Sequence, residues 1–227
     1  MDAARSAQVA AVAALAEPTR RRLYEHVVRS AEPVGRDEAA GALGVPRATA
    51  AFHLDRLVGD GLLDVVFQRR TGRTGPGAGR PAKLYRRSGT GVEVSLPERR
   101  YDLAGDLLAG ALAEADRSGE RAGTVLRRTA RARGRELGRA AGEGRDAVLR
   151  VLEEHGFEPR ADGAGIALVN CPFHALARTH TDLVCGMNLE LLDGVLEGVP
   201  SAGLTARLRP QPGSCCVRLD PADAADG

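Results

Sequence analysis

Hydrophobic residues near the start of the chain recur every three or four positions, which is the spacing of one face of a helix. Three such stripes follow one another: Leu23, Val27 and Val28, then Ala39, Ala40 and Leu43, then Ala50, Leu54, Leu57 and Val58. Pro18 and Pro46 suit the first turns of the first and third helices, and Gly44 suits the end of the second. A short helix, a tight turn and a longer helix form a helix-turn-helix.

The pattern changes after Gly61, where Leu62–Phe67 predicts a strand, and a second strand is predicted near Lys83–Arg87. The stretch Thr71–Pro81 between them is rich in Gly and Pro and cannot pack a core. No acidic residue occurs between Asp64 and Glu93, and the basic residues of this region are Arg69, Arg70, Arg73, Arg80, Lys83, Arg86 and Arg87. A purely cationic hairpin beside a helix-turn-helix predicts a wing that lies along a DNA backbone.

The third predicted helix has the position of a recognition helix, whose outward face meets base edges near its N-terminal end. There Arg47 suits guanine, and Thr49 suits a phosphate or a base. We predict DNA contacts from Arg47, Thr49, Ala51, Phe52 and Arg56 on this helix, and from Arg69, Arg70, Arg73, Arg80 and Lys83 on the wing. His53 lies beside the inward face, and we expect it to pack inside the domain.

The stretch PTRRRLYEHV…DEAAGALGVPRATAAFHLDRLVGDGLL resembles the winged helix-turn-helix of bacterial ArsR/MarR/DeoR-type repressors. In those proteins a phrase of the form T-x-x-x-H-L-x-x-L-x-x-x-G-L-L recurs, and here it begins at Thr49. The resemblance covers about residues 10–95 and implies a double-stranded DNA operator as the partner. Because such modules usually act on paired half-sites, it also implies a homodimer.

Charge changes sign along the chain, although the net charge is only +2. Residues 1–100 carry 17 Lys and Arg against 11 Asp and Glu, whereas residues 101–227 carry 15 against 19. This asymmetry predicts a basic half that meets a polyanion and an acidic half with another task. No stretch approaches the roughly 18 apolar residues of a membrane span. The alanine-rich start lacks the basic region of a signal peptide, so we expect no membrane partner and a cytoplasmic location.

The rest of the chain predicts helices first and a small mixed domain afterwards. The predicted elements are helices from Pro97 and from Glu120 to about Ala141, a helix at 145–155, strands at 157–161 and 165–170, helices from Pro172 and over Thr181–Val199, and two last strands. The predicted fold class is therefore α+β, mainly α. Its parts are a winged helix-turn-helix (1–95), a helical dimerisation region (96–143) and a C-terminal α+β domain (144–227), with helices 1–16 and 98–117 as the expected dimer contacts.

All four cysteines lie in the last quarter of the chain, at Cys171, Cys185, Cys215 and Cys216. In a reducing compartment we expect thiols or metal ligands in preference to disulfides. Three thiolates and a fourth ligand make a metal or cluster site, and His174 is the nearest fourth candidate, ahead of His180. If Cys215 and Cys216 open the last strand, alternation sends them to opposite faces, and at most one faces a shared site. The spacings match no simple zinc finger, so small buried hydrophobes are the alternative.

The stretch NCPFHALARTHTDLVCGMNLELLDGVL…RLRPQPGSCCVRL is similar to the C-terminal part of SufR-type repressors. In that family an Asn-Cys-Pro cysteine, a second cysteine at the head of the next helix and a third on the last hairpin hold an iron–sulfur cluster. The resemblance implies Cys171, Cys185 and one of Cys215 or Cys216 as ligands. The doubled cysteine leaves the third ligand open, and the histidines keep zinc as an alternative cofactor.

Together these patterns predict a DNA-binding transcriptional regulator, not an enzyme, whose C-terminal domain binds an iron–sulfur cluster or a metal that modulates operator affinity. One alternative is the same regulator with a purely structural zinc site. Another is a thiol-based enzyme fused to a DNA-targeting module, with Cys171 as nucleophile and His174 as base. No orienting carboxylate lies near these two residues in the sequence, which disfavours the enzyme.

Overall fold

The chain folds into two compact units, residues 1–94 and 95–227, in a computed structural model that describes residues 3–68, 81–211 and 213–222. Helices predominate and each unit contains one sheet, which confirms the predicted α+β, mainly α class. The stretches 96–143 and 144–227, separated in the prediction, contribute to one hydrophobic core. Within the described ranges, none of the helices combines the length and the apolar character that crossing a bilayer requires.

The N-terminal unit contains the predicted helices in the predicted order. Its elements are α1 (Ala3–Ala14), α2 (Pro18–Arg29), β1 (Val34–Gly35), α3 (Arg36–Leu43), α4 (Arg47–Gly59), β2 (Leu63–Gln68) and β3 (Ala82–Arg87). The Glu17 carboxylate caps α2 by accepting the backbone N–H groups of Thr19 at 2.9 Å and Arg20 at 2.6 Å. Gly44 ends α3 with φ +66°, a left-handed conformation that glycine adopts without strain.

The core of this unit lies between the helices and a small antiparallel sheet of order β1-β3-β2. Ala50, Leu54 and Leu57 of α4 are fully buried, which confirms the inward face predicted from their spacing. Tyr85 of β3 is also fully buried and lies opposite Val65 of β2 in the register. The prediction of a strand pair is confirmed to within one residue at each described end. Arg69, Arg70, Arg73 and Arg80 of the predicted wing lie outside the described residues.

The C-terminal unit packs helices against an antiparallel sheet of order β4-β5-β7-β6. Its elements are α5 (Tyr101–Ser118), α6 (Ala122–Ala141), α7 (Gly144–Glu154), β4 (Pro159–Asp162), β5 (Gly165–Leu168), α8 (His174–Thr179), α9 (Thr181–Gly198), β6 (Leu204–Leu208) and β7 (Val217–Pro221). The prediction that a helix starts at Pro97 is wrong, because α5 begins at Tyr101. The backbone N–H of Arg99 instead donates to Ser95 Oγ at 2.8 Å, and that of Arg100 donates to the Pro172 carbonyl at 3.2 Å.

Helices α6 and α9 approach so closely that their backbones touch. Gly134 and Gly138 of α6 face Gly194 and Gly198 of α9, and a Cβ added at any of these positions would lie within 3.0 Å of backbone atoms of the other helix. Glycine is therefore required at this contact for lack of space, although it is a poor helix former. The contact fixes α9, which contributes much of the buried surface of the unit.

The same two helices are joined at their edge by ion pairs. Arg131 of α6 donates to Glu190 at 2.9 Å and to Glu197 at 2.5 Å, both on α9, and Arg135 lies 3.3 Å from Glu197. The sequence allows two interpretations of the α6 arginines: a second DNA-contacting surface, or a long solvated helix whose apolar residues Val125, Leu126, Ala130 and Leu137 face a partner. For Arg131 and Arg135 the structure favours the second, because they pair with acidic residues of their own unit.

We predict that Gly194→Ala destabilises the protein by about 2–3 kcal/mol, because the added methyl meets the backbone of α6. Gly110→Ala, in α5, is the matched control, since beyond the neighbouring backbone of its own helix nothing lies within 4 Å of the added Cβ, and it should stabilise by up to about 1 kcal/mol. Urea unfolding followed by circular dichroism measures both. Equal stabilities for the two variants would contradict the close helix contact.

Candidate nucleic-acid interface and cysteine site

The predicted base-reading residues lie at the surface of α4. Arg47, Phe52 and Arg56 are exposed, and Thr49 and Ala51 are half-buried. Phe52 has 65% of its surface exposed, an unusual position for a large aromatic side chain. The helix follows α3 through the tight turn at Gly44, as the helix-turn-helix requires. The structure therefore presents these five side chains on one element.

Carboxylates of the same unit pair with both arginines of this helix. Arg47 Nε donates to Asp37 Oδ1, and Arg56 Nε donates to Asp60 Oδ2 at 3.0 Å. Both arginine side chains are well exposed, so each pair contributes at most about 1 kcal/mol and can exchange its carboxylate for a phosphate. The pairs hold the guanidinium groups near the ends of the exposed stretch of α4.

Lys83 and Tyr85 tie strand β3 to α4 through one carboxylate. Lys83 Nζ lies 2.6 Å from Asp55 Oδ1, and the Tyr85 hydroxyl donates to the same oxygen at 2.7 Å. Burial raises the pKa of the Asp55 carboxyl, but these two hydrogen bonds outweigh it and leave the pKa below its ordinary value. Burial and the same contact raise the pKa of Tyr85. Lys83, predicted as a DNA contact, is thus also a link between the recognition helix and the sheet.

His53 lies on the inner side of α4, as predicted. Its side chain is 12% exposed, and its Nδ1 lies 3.5 Å from Glu17 Oε2, the carboxylate that caps α2. His53 therefore packs between two helices of the domain.

The four cysteines form two pairs. Cys171, between β5 and α8, is in hydrogen-bond contact with Cys215, and both are buried free thiols. Cys185, in the first turns of α9, forms a disulfide with Cys216, with their Cα atoms 6.5 Å apart. Cys215 and Cys216 are neighbours in the chain, so the two pairs meet where consecutive Cα atoms are only about 3.8 Å apart.

Two expectations about these cysteines need correction. The structure has a disulfide where four thiols or metal ligands were expected, because α9 brings Cys185 within bonding distance of Cys216. Cys215 and Cys216 also precede β7, which begins at Val217, and do not open the strand. They do point to different neighbours, but each of those neighbours is a cysteine. Each of the two adjacent cysteines therefore belongs to a pair: Cys215 contacts Cys171, and Cys216 is bonded to Cys185. The sequence predicted that at most one of them would face a shared site.

The buried pair has an uneven distribution of charge. A hydrogen bond from Cys215 lowers the pKa of the Cys171 thiol to about 7, although burial opposes this; the Phe173 N–H and the Arg99 charge lower it further. The contact with Cys171 and burial together raise the pKa of Cys215. The Cys215 sulfur also accepts a hydrogen bond from the side-chain amide of Asn188 at 3.2 Å. At a pH of about 7 the pair is about half ionised, and the negative charge lies mainly on Cys171.

The disulfide pair has different surroundings. Cys185 and Cys216 line an open groove of about 480 Å³, together with Thr181, Asp182, Gly186, Leu208, Pro210, Gln211 and Ser214. Cys185 itself is buried, at 6% exposed, and Cys216 is half-buried. The Cys171–Cys215 pair belongs to the hydrophobic core.

The predicted histidine ligands are not gathered with the cysteines. His174 and His180 are exposed at the two ends of α8. Within residues 3–68, 81–211 and 213–222 there is no group of three or more His, Cys, Asp or Glu side chains arranged to hold a metal ion. The structure therefore brings together the sulfur donors in pairs and leaves the imidazoles outside.

Sequence reasoning missed the residues that fix the Cys171 loop. Asn170 is 5% exposed, and its side-chain amide donates to the Gly156 carbonyl at 2.6 Å and to the Glu98 carbonyl at 3.0 Å. Arg99 Nη1 donates to Asn170 Oδ1 at 2.5 Å and to the Cys171 carbonyl at 3.0 Å. Arg99 and Asn170 are 71 residues apart, and no pattern in the chain pairs them. For Asn188 the sequence contains a weak indication, because it follows Cys185 by three residues and so lies on the same, buried side of α9.

The comparisons with known proteins bear on the N-terminal unit. The model of a protein family described as a helix-turn-helix domain matches residues 15–66, which include α2, α3, α4 and most of β2. The match confirms the helix-turn-helix part of the resemblance, and the unit is the DNA-binding domain of a transcriptional regulator. No significant match was found to a curated protein or to a solved structure. The SufR-like character of the cysteine segment stays a prediction.

We predict that Cys215→Ala raises the pKa of Cys171, because the hydrogen bond from Cys215 is the largest cause of its lowered value. The background is the reduced protein with Cys185→Ser and Cys216→Ser, in which only this pair of thiols remains. There, one thiolate should form as the pH rises through about 7. Ultraviolet thiolate absorbance against pH gives the midpoint. Cys215→Ser keeps a donor and should stay closer to 7, and an unchanged midpoint in Cys215→Ala would contradict the contact.

Proposed function

We propose that the protein is a homodimeric regulator whose C-terminal unit binds an iron–sulfur cluster, or alternatively zinc, and whose affinity for a DNA operator depends on that cofactor. One observation carries the proposal: cysteines from three separate stretches of the chain lie together. Cys171 contacts Cys215, and Cys185 is bonded to Cys216, the next residue. Small buried hydrophobes have no reason to pair in this way. The SufR-like resemblance of the same stretches supports the iron–sulfur choice.

The donor set suits such a cofactor chemically. Thiolates are the usual ligands of iron–sulfur clusters and of structural zinc. The lowered pKa of Cys171 makes its thiolate easier to form, and reduction of the disulfide frees Cys185 and Cys216. Cys171, Cys185 and one or both of Cys215 and Cys216 would hold the group. A bound cofactor would cross-link α9, the β5–α8 connection and the segment before β7.

Arg99 links this site to the backbone that leads into the DNA-binding unit. That unit ends at Val94, and Arg99 follows five residues later in the chain. Its guanidinium donates to both Asn170 and the Cys171 carbonyl, and Asn170 donates back to the Glu98 carbonyl. A displacement of the Cys171 loop on ligation would therefore act on residues 95–100. A cofactor changes operator affinity only if it binds the two conformations with different affinity, and this connection is a physical route to that difference.

Protein purified without oxygen should contain iron and sulfide, or zinc, and Cys171→Ser should lose this content and change operator affinity. Ultraviolet–visible spectra, metal analysis and DNA mobility shifts measure these effects. Unchanged metal content and an unchanged effector response in Cys171→Ser would rule the sensor out. If metal is present but its removal leaves operator affinity unchanged, the site is the purely structural zinc site of the alternative.

The Arg99→Ala variant separates cofactor binding from its effect on DNA. We expect it to retain the metal content of the wild type and to lose most of the difference in operator affinity between cofactor-loaded and cofactor-free protein. Arg178→Ala, which removes an exposed arginine of α8 in the same unit, is the matched control and should keep that difference. Titrations of loaded and apo protein with one operator duplex measure the ratio. Wild-type coupling in Arg99→Ala would exclude this route.

A further inference from the structure

The exposed face of α4 is apolar where a recognition helix meets the bases. Between the pairs Arg47–Asp37 and Lys83–Asp55, the surface of the helix consists of Ala48, Thr49, Ala51 and Phe52. Phe52, 65% exposed, is the largest of these side chains. Phe67 of β2 is about equally exposed, so exposure alone does not single out Phe52; its place on the outward face of the recognition helix does, because that face meets the base edges.

The composition of α4 limits which bases it can read. From Arg47 to Gly59 the helix contains no Asn or Gln, the amides that bind adenine in pairs of hydrogen bonds, and no Lys. The two other polar side chains near this face have partners within the domain. The Asp55 carboxylate accepts hydrogen bonds from Lys83 and Tyr85, and His53 packs beside Glu17. What remains for direct readout is two arginines near the ends of the face, the Thr49 hydroxyl, and an otherwise apolar surface between the arginines.

We propose that Phe52 reads the C5-methyl group of thymine in the major groove of duplex DNA. The methyl group is the one apolar feature on a base edge there, and Phe, Ala and the Thr methyl are the side chains that contact it. Arg47 and Arg56 flank the ring and supply the positive charge that a polyanion requires. The operator therefore carries a thymine opposite Phe52 in each half-site. This inference rests on the DNA-binding function and is independent of the cofactor.

The test removes single methyl groups from the DNA. A duplex is first selected from a random-sequence pool with the full-length protein, and each thymine is then replaced in turn by uracil, which differs only in lacking the methyl. We expect one position per half-site at which the wild type loses affinity by about fourfold, the value of one buried methyl group. In Phe52→Ala the thymine and uracil duplexes should bind equally at that position. Fluorescence anisotropy at fixed salt gives the affinities.

Phe67→Ala is the matched control, because Phe67 of β2 is also exposed, at 64%, but lies off the recognition helix. It should keep the difference between thymine and uracil even if its overall affinity changes. Uracil that is tolerated at every position by the wild type, or a penalty that persists unchanged in Phe52→Ala, would overturn the assignment while leaving DNA binding intact. Failure to select any duplex would overturn DNA binding itself, together with this inference.

Discussion

Backbone contact between α6 and α9 is the constraint on which the C-terminal unit depends. Four glycines remove every side chain from the contact, so the helix axes come closer than side chains would allow. Helix α9 then lies over the sheet in one position, and that position brings Cys185 to Cys216 and Asn188 to Cys215. A contact made for packing alone thus determines which sulfur atoms can meet, although none of the glycines is near a cysteine in the chain.

The two cysteine pairs differ in the properties that decide sulfur chemistry. One pair is in the core, and in it the pKa of Cys171 is lowered and that of Cys215 is raised. The other lies along a groove and is oxidised. Reactivity follows thiolate character and access together. In this protein the thiol with the lowered pKa is in the core, and the open groove is at the disulfide.

The sequence predicts this protein well where periodicity decides the structure. The helices of the DNA-binding unit, its inward residues Ala50, Leu54 and Leu57, and the strand pair were predictable because each depends on neighbouring residues. The start of α5 and the role of Arg99 were not, because hydrogen bonds to Asn170 and Pro172 override the helix signal of Pro97. The cysteine pairing was not predictable either, because it depends on how α6 and α9 pack, and the spacing of the cysteines along the chain does not indicate which of them pair.

The shared carboxylate of Asp55 has a consequence for how this protein selects DNA. Because Lys83 and Tyr85 of β3 both bind the same oxygen on α4, strand and recognition helix keep one angle to each other. A duplex must adapt its groove width and curvature to that angle, and the free energy of doing so varies with base sequence. Selectivity then extends to base pairs that no side chain touches, through the stiffness of the double helix.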